Sequence, residues 1–138
     1  MVIENLYYDI WKNNEDVGGK IEAPDWLSVI VCIKELDGEI KTQVTLNGAD
    51  DSIVFCVGGG NNSLYNVYIA LNDGESIYTL VDYSKSKINK VSLVTGGQMG
   101  DFEEYLCVPL SLVLKAAKTF WETGQVDNEL NWEYQGNV

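Results

Sequence analysis

The chain has 138 residues, enough for one compact domain, and its 21 acidic residues against nine lysines give a formal net charge of −12. It contains no histidine and no arginine, which excludes Ser-His-Asp and Cys-His catalysis, most transition-metal sites and bidentate clamping of phosphates. A surface this acidic repels nucleic acid and anionic membranes and favours basic partners, although acidity also serves solubility.

The first twenty residues predict one strand followed by a loop. Residues Val2–Trp11 are rich in aliphatic and aromatic side chains, which is typical of an opening strand. The polar segment Lys12–Lys20 contains the pair Gly18–Gly19 and predicts a turn or loop. No basic region followed by an apolar run begins the chain, and no apolar stretch is long enough to span a bilayer, so we expect a cytoplasmic protein.

A first helix is predicted from Pro24 onward. Proline suits the first turn, and the carboxylate of Asp25 suits the positive end of the helix dipole. Asp37–Gly38 would end the helix, although the β-prone run Val29–Ile33 leaves a strand and hairpin turn as the alternative. The residues that fit one apolar helical face are Trp26, Leu27, Ile30, Ile33 and Leu36.

After Glu39 the apolar pattern changes to a period of two, which predicts strands. The predicted strands are Ile40–Leu46, Ser52–Val57, Leu64–Leu71, Ser76–Tyr83, Lys90–Thr95 and Phe102–Val108. Their connections are short and rich in Gly, Asn and Asp, so neighbouring strands should be antiparallel, because parallel neighbours need long crossovers. The fold class is therefore α+β: a single domain, residues 1–138, with an antiparallel meander sheet of about six to seven strands packed against an N-terminal and a C-terminal amphipathic helix.

The sequence contains a glycine run, carboxylate pairs and cysteines, but their spacing does not predict a catalytic or cofactor-binding site. Gly58-Gly59-Gly60 lacks the following lysine and the helix of a phosphate-binding loop, and predicts a hairpin or bulge instead. The carboxylate pairs Asp50–Asp51 and Glu103–Glu104 are adjacent, and neighbouring residues on a strand point to opposite faces. The three cysteines lie in apolar runs without a histidine base, as expected of buried free thiols. We therefore expect no catalytic, cofactor-binding or metal-binding residues, and no enzyme.

Acids and tyrosines alternate along the predicted strands and their loops. Tyrosine is favoured at protein interfaces because it combines a large contact area with a hydroxyl group, although any one tyrosine could instead border the core. Interleaved carboxylates would make such a surface attractive to a basic protein. The predicted partner-binding residues are Asp50, Asp51, Tyr65, Asp73, Glu75, Tyr78, Asp82, Tyr83, Asp101, Glu103 and Glu104.

The last thirty residues predict an amphipathic helix, a glycine stop, a polar loop and a strand that bears a tryptophan. Pro109 suits the first helical position and Gly124 the left-handed residue after the last turn. Leu130 and Trp132 then alternate with polar residues, as in a short strand. The residues that form one apolar helical face are Leu110, Val113, Leu114, Ala117, Phe120 and Trp121.

This C-terminal segment resembles the signature of the first-numbered family of bacterial polymorphic-toxin immunity proteins. In that signature a helix that begins with proline leads into F-x-x-T-G, and a short spacer leads to an aliphatic-x-W strand. The matching residues here are Pro109, Ala116, Ala117, Phe120, Thr123, Gly124, Leu130 and Trp132. One departure is Asp127, which stands where the family commonly has proline.

The resemblance implies an immunity protein that binds a cognate toxin domain and neutralises it by blocking its active site. It further implies a nuclease or nucleic-acid deaminase as the toxin, with a basic substrate groove that an acidic inhibitor complements without itself binding nucleic acid. The residues leave two alternatives open, a binding or scaffold domain of another system and a small hydrolase that uses only carboxylates.

Overall fold

The computed structural model describes residues 2–136, which form two α-helices and a set of antiparallel strands. The strands are β1 (Ile3–Tyr8), β2 (Trp11–Lys12), β3 (Glu15–Asp16), β4 (Gly19–Glu22), β5 (Gln43–Gly48), β6 (Val54–Gly59), β7 (Leu64–Leu71), β8 (Ser76–Leu80), β9 (Lys90–Thr95), β10 (Gln98–Glu103), β11 (Val108–Pro109) and β12 (Trp132–Gly136). The helices are α1 (Trp26–Lys34) and α2 (Leu110–Thr123).

Most strands join one antiparallel sheet in the order β12-β8-β7-β6-β5-β1-β4, and β11 pairs with the start of β7. The meander predicted from the short connections forms its centre, β5 to β8, and the α+β class is confirmed. Alternate residues of the strands point to one face of this sheet, where they are buried against both helices. At the middle of this core the rings of Phe55 in β6 and Phe120 in α2 lie 5.7 Å apart.

Helix α1 forms where a helix was predicted, but Pro24 lies outside it, before the cap, and the helix ends at Lys34 rather than at Asp37–Gly38. The Asp25 side chain accepts a hydrogen bond of 2.8 Å from the Ser28 backbone N–H and so caps the first turn. Ile33 and Leu36 of the predicted face are buried, but Val29 is buried as well and Leu27 points outward. The helix is apolar on nearly all sides, so periodicity alone does not decide which side the sheet covers.

Two segments predicted as single elements are divided differently in the structure. Lys12–Lys20 is not wholly a loop, because β3 and the start of the edge strand β4 lie within it. The predicted strand Phe102–Val108 was wrong: Gly96 and Gly97, both with positive φ, make a two-residue turn, so β10 begins at Gln98. The resulting β9–β10 hairpin is a separate two-stranded sheet.

Smaller differences lie at the ends of elements. Strand β5 starts at Gln43 rather than Ile40, because the Asp37 carboxylate accepts the N–H groups of residues 39, 40 and 41 and folds them into a turn. Gly58 and Gly59 continue β6, and the connection is Gly60–Ser63. Gly58 allows the β9–β10 hairpin to pack closely, since a Cβ there would lie 2.6 Å from the Thr95 methyl group.

Around α2 two boundaries also shift by one or two residues. Pro109 is not the first helical residue: its backbone is extended and it immediately precedes the helix. The closing strand begins at Trp132 and not at Leu130. Gly124 ends α2 in the left-handed conformation, as predicted, and its N–H donates to the Phe120 carbonyl at 2.7 Å.

We expect Gly124→Ala to lower the free energy of unfolding by about 2–3 kcal/mol. Gly124 has a φ of 73°, and a Cβ there would lie 2.8 Å from Val2 Cγ1 and 3.0 Å from Ile53 Cδ1. The matched control is Gly74→Ala, because Gly74 also has positive φ but open space around it, so its loss should be only about 1 kcal/mol. Urea denaturation measures both values, and equal losses would show that the crowding at Gly124 has no cost.

Candidate partner-binding surfaces

On the side away from the helices, the sheet carries the β9–β10 hairpin over Gly58 and the segment after that hairpin over Asn66, and it has an open face beyond them. The cross-strand row that marks this open face is Tyr7, Thr45, Cys56, Tyr68, Thr79 and Glu133. Tyr7 and Tyr68 are exposed there, and neither was among the predicted partner-binding residues. Repulsion from a Cys56 thiolate, together with burial, raises the pKa of Tyr68 to about 12. Burial also raises the pKa of the Cys56 thiol, so both groups are neutral at physiological pH. Period-two alternation along β1 and β7 is the signal that could have found both tyrosines.

The first group of predicted acids comes together at the turns that follow β5 and β7. We name Asp50, Asp51, Asp73 and Glu75 the turn cluster. All four are exposed, and the two turns are joined because the Asp73 N–H donates to the Ser52 carbonyl at 3.1 Å. Asp51 accepts a hydrogen bond of 2.8 Å from the Asn47 side chain, which fixes one carboxylate. The turn cluster is therefore a concentration of negative charge on a pair of short, tied turns.

The second group lies beyond the other end of β8, where the loop after β8 packs against the end of β10. We name Asp82, Tyr83, Asp101, Glu103 and Glu104 the hairpin cluster. Its loop is held because the Asp82 N–H donates to the Tyr105 carbonyl at 2.8 Å. The rings of Tyr83 and Tyr105 stack with centroids 6.2 Å apart, and the Lys87 ammonium lies 5.2 Å from the Tyr83 ring centroid.

Charges in the hairpin cluster are partly balanced by neighbouring polar groups. A hydrogen bond from the Ser84 hydroxyl lowers the pKa of Asp82, so this carboxylate is ionised well below neutral pH. Glu103 lies 3.5 Å from the Lys90 ammonium. Because both groups of this pair are substantially exposed, the ion pair holds the strands together only weakly.

Two predicted contact residues belong to the helix side of the sheet. Tyr65 is buried in the core, so its ring is not exposed to a partner. Tyr78 is half-buried and packs against Tyr134, with ring centroids 4.9 Å apart. Period-two alternation places Tyr65 on the same side of β7 as the buried Val67 and Ile69. It likewise places Tyr78 on the same side of β8 as the buried Leu80, so this signal argued against both predicted contacts.

A groove of about 480 Å³ lies between α1 and the ends of β1, β4 and β5. Its walls are mainly apolar and include Tyr8, Ile10, Ile21, Leu27 and Val31. Carboxylates at its rim come from both ends of α1, namely Asp25 and Glu35. We name this feature the α1 groove.

Asp9 lines the α1 groove, and its buried carboxylate fixes the neighbouring segments by hydrogen bonds. Its buried carboxylate accepts hydrogen bonds from the Thr42 N–H at 2.7 Å, the Gln43 N–H at 2.9 Å and the Trp11 indole N–H at 2.7 Å. The Thr42 hydroxyl also donates to it and in turn accepts the Gly97 N–H at 2.9 Å. One side chain therefore joins the end of β1, the start of β5 and the tip of the β9–β10 hairpin.

Two further groups, Asp37 and Cys107, have pKa values that are shifted by burial and hydrogen bonding. Burial alone would raise the pKa of Asp37, but three backbone N–H donors outweigh it and lower the pKa. Burial raises the pKa of the Cys107 thiol to about 11, so this thiol is protonated at neutral pH. Within residues 2–136, no three His, Cys, Asp or Glu side chains are arranged to hold a metal ion.

The residues of the C-terminal signature form one structural unit. Phe120 is buried in the core, Gly124 ends α2, and the Trp132 indole N–H donates to the Asp127 carbonyl at 2.9 Å. The Asp127 carboxylate accepts hydrogen bonds from the Thr119 hydroxyl at 2.8 Å and the Glu129 N–H at 2.9 Å. The acid at the usual proline position therefore closes the loop with hydrogen bonds.

Comparison with known proteins identifies the family. Over the described residues, no helix has the length and apolar character that crossing a membrane requires. A search of the curated proteins finds no match. The family model described as "Immunity protein Imm1" matches residues 18–134, which include both helices and the whole C-terminal signature. The chain therefore belongs to the Imm1 family of immunity proteins, which neutralise a toxin.

Proposed function

We propose that this chain binds a cognate toxin domain that cleaves or deaminates nucleic acid, and that it blocks the active site of that toxin. It acts as a single domain, residues 1–138, without a cofactor and without chemistry of its own. Family membership supports the toxin partner. The charge of the chain supports the substrate class, because an enzyme that binds a polyanion carries a basic groove, and a net charge of −12 complements it.

The observation that carries this proposal is the position of the acids. The turn cluster and the hairpin cluster lie beyond opposite ends of β8, which pairs with β7, and the open face between them carries the exposed ring of Tyr68. Negative charge at both ends with an aromatic surface between them suits a basic protein groove. Such a surface would compete directly with the nucleic acid for the same cations of the toxin.

The experiment uses the toxin domain encoded by the gene immediately upstream. Co-expression with this chain should restore growth of cells that produce the toxin, and the purified proteins should associate at a rate that falls at least about tenfold between about 50 mM and about 500 mM NaCl. If the chain neither rescues growth nor binds that toxin, the proposed function is wrong.

A pair of charge variants tests the role of the turn cluster. The first variant replaces Asp50, Asp51, Asp73 and Glu75 with Asn or Gln. The control neutralises the same number of exposed acids elsewhere, namely Glu4, Glu15, Glu39 and Glu122. We expect the first to lower the association rate about tenfold and the control only about twofold, because charges close to the contact steer association most strongly. Equal effects would place the contact away from the turn cluster.

A further inference from the structure

We propose that the α1 groove is an anchor site for the toxin, and that it takes an apolar side chain on a toxin segment flanked by lysine or arginine. The inference rests on the proposed function for its partner. It concerns the opposite side of the sheet from the open face and the two acidic clusters, and so adds a second, apolar contact to the electrostatic one.

The first observation is the outward side of α1. Leu27 and Val31 lie one helical turn apart, and their side chains are 68% and 46% exposed. Helices that are apolar on all sides are normally buried on all sides. The sheet and α2 cover Val29 and Ile33, and the outward pair remains at the mouth of the α1 groove. The exposure of Leu27 and Val31 is explained if a partner protein buries both side chains.

The second observation is the shape and stiffness of the α1 groove. A volume of about 480 Å³ accommodates one or two side chains of a partner. Tyr8 and Ile21 line it from paired strands, and the hydrogen bonds of Asp9 fix the segment that carries Ile10. A preformed groove loses little conformational entropy on binding, which favours a well-packed anchor residue.

The charges at the rim select the occupant. Asp25 and Glu35 both line the α1 groove, and Asp16 lies beside it, where its carboxylate accepts the Ile10 N–H at 3.1 Å. The lysine that lines it, Lys41, lies 3.2 Å from Glu35 and so balances one acid of the rim. A second copy of this chain also carries a net charge of −12, so the two copies repel each other. A basic segment is attracted to the same rim.

The test measures the dissociation constant of the complex between the full chain and the toxin domain encoded by the upstream gene, by calorimetry. The variant is Leu27→Lys, which removes the apolar contact and adds a positive charge facing the basic segment. Its matched control is Ser111→Lys, because Ser111 is an exposed residue of α2 that does not line the α1 groove and lies in neither acidic cluster. We expect the dissociation constant to rise at least about 30-fold for Leu27→Lys and less than about threefold for the control.

A second pair of variants guards against a folding defect. Leu27→Ala keeps a strong helix former and should raise the dissociation constant about tenfold, whereas Ser111→Ala should leave it unchanged. If wild type binds the toxin and the Leu27 variants match the Ser111 variants, the anchor site is wrong and the proposed function stands. If wild type does not bind at all, the proposed function itself fails. If wild type dimerises through Leu27 in sedimentation analysis, the occupant is a second copy and this inference is overturned.

Discussion

Replacing Asp9 with alanine is expected to lower the free energy of unfolding by about 3–5 kcal/mol, a large part of the stability of a domain this size. The carboxylate accepts the N–H groups of Thr42, Gln43 and the Trp11 indole, as well as the Thr42 hydroxyl. Asp9 and Thr42 are both buried, so water cannot replace the lost acceptor without opening the structure. Each donor left without a partner costs about 1–3 kcal/mol.

Three variants separate the hydrogen-bond network from simple loss of charge. Asp9→Asn keeps one acceptor oxygen and should cost about 2 kcal/mol, whereas Thr42→Val removes a single hydroxyl and should cost about 1–2 kcal/mol. Asp50→Asn removes an exposed charge, and asparagine tolerates the left-handed backbone at this position (φ 50°), so stability should change by less than about 0.5 kcal/mol. Urea denaturation at neutral pH gives all four values. A loss for Asp9→Ala no larger than that for Asp50→Asn would contradict the structural role of the network.

Periodicity predicted the elements whose determinants are local. The bounds of Leu64–Leu71 and Lys90–Thr95 agree with β7 and β9, because alternating apolar residues between Gly- and Asn-rich turns specify a strand by themselves. The end of α2 was equally local, since Gly124 supplies the left-handed residue that closes the last turn. The α+β class followed from these elements and from their short connections.

Elements that depend on distant partners were missed. The edge strand β4 exists because Gly19–Glu22 pairs with β1, and within its own four residues it has a single large apolar side chain. Asp9 looked like one acid among many, and its donors Thr42 and Gln43 lie more than thirty residues away. The inward and outward sides of α1 depend in the same way on the sheet beneath it.

Among the candidate surfaces, too, some features are determined locally and others depend on distant parts of the chain. The acids of the turn cluster could be predicted, because Asp and Glu in polar turns are exposed with few exceptions. Tyr65 could have been excluded, because period-two alternation puts it on the same side of β7 as Val67 and Ile69 and opposite Tyr68. The α1 groove required the packing of a helix against three strands and left no local signal.

Phe120→Ala is expected to lower the free energy of unfolding by about 3–5 kcal/mol. The ring is fully buried and lies 5.7 Å from that of Phe55, so truncation leaves a cavity between α2 and the centre of the sheet. Phe120→Leu fills most of the space and should cost about 1–2 kcal/mol. Urea denaturation distinguishes the two, and a small loss for Phe120→Ala would mean that α2 can move to close the cavity.

A double-mutant cycle with Phe55→Ala tests whether the two rings act as a pair. The tilted contact, with an interplanar angle of 34°, should add a coupling energy of about 0.5–1.5 kcal/mol to the burial of each ring. Because Phe120 belongs to the C-terminal signature and Phe55 lies in the central strand β6, this coupling measures how firmly the signature helix is fixed to the sheet. A coupling energy near zero would mean that the two truncations leave independent cavities, and that the helix is held by its other apolar contacts.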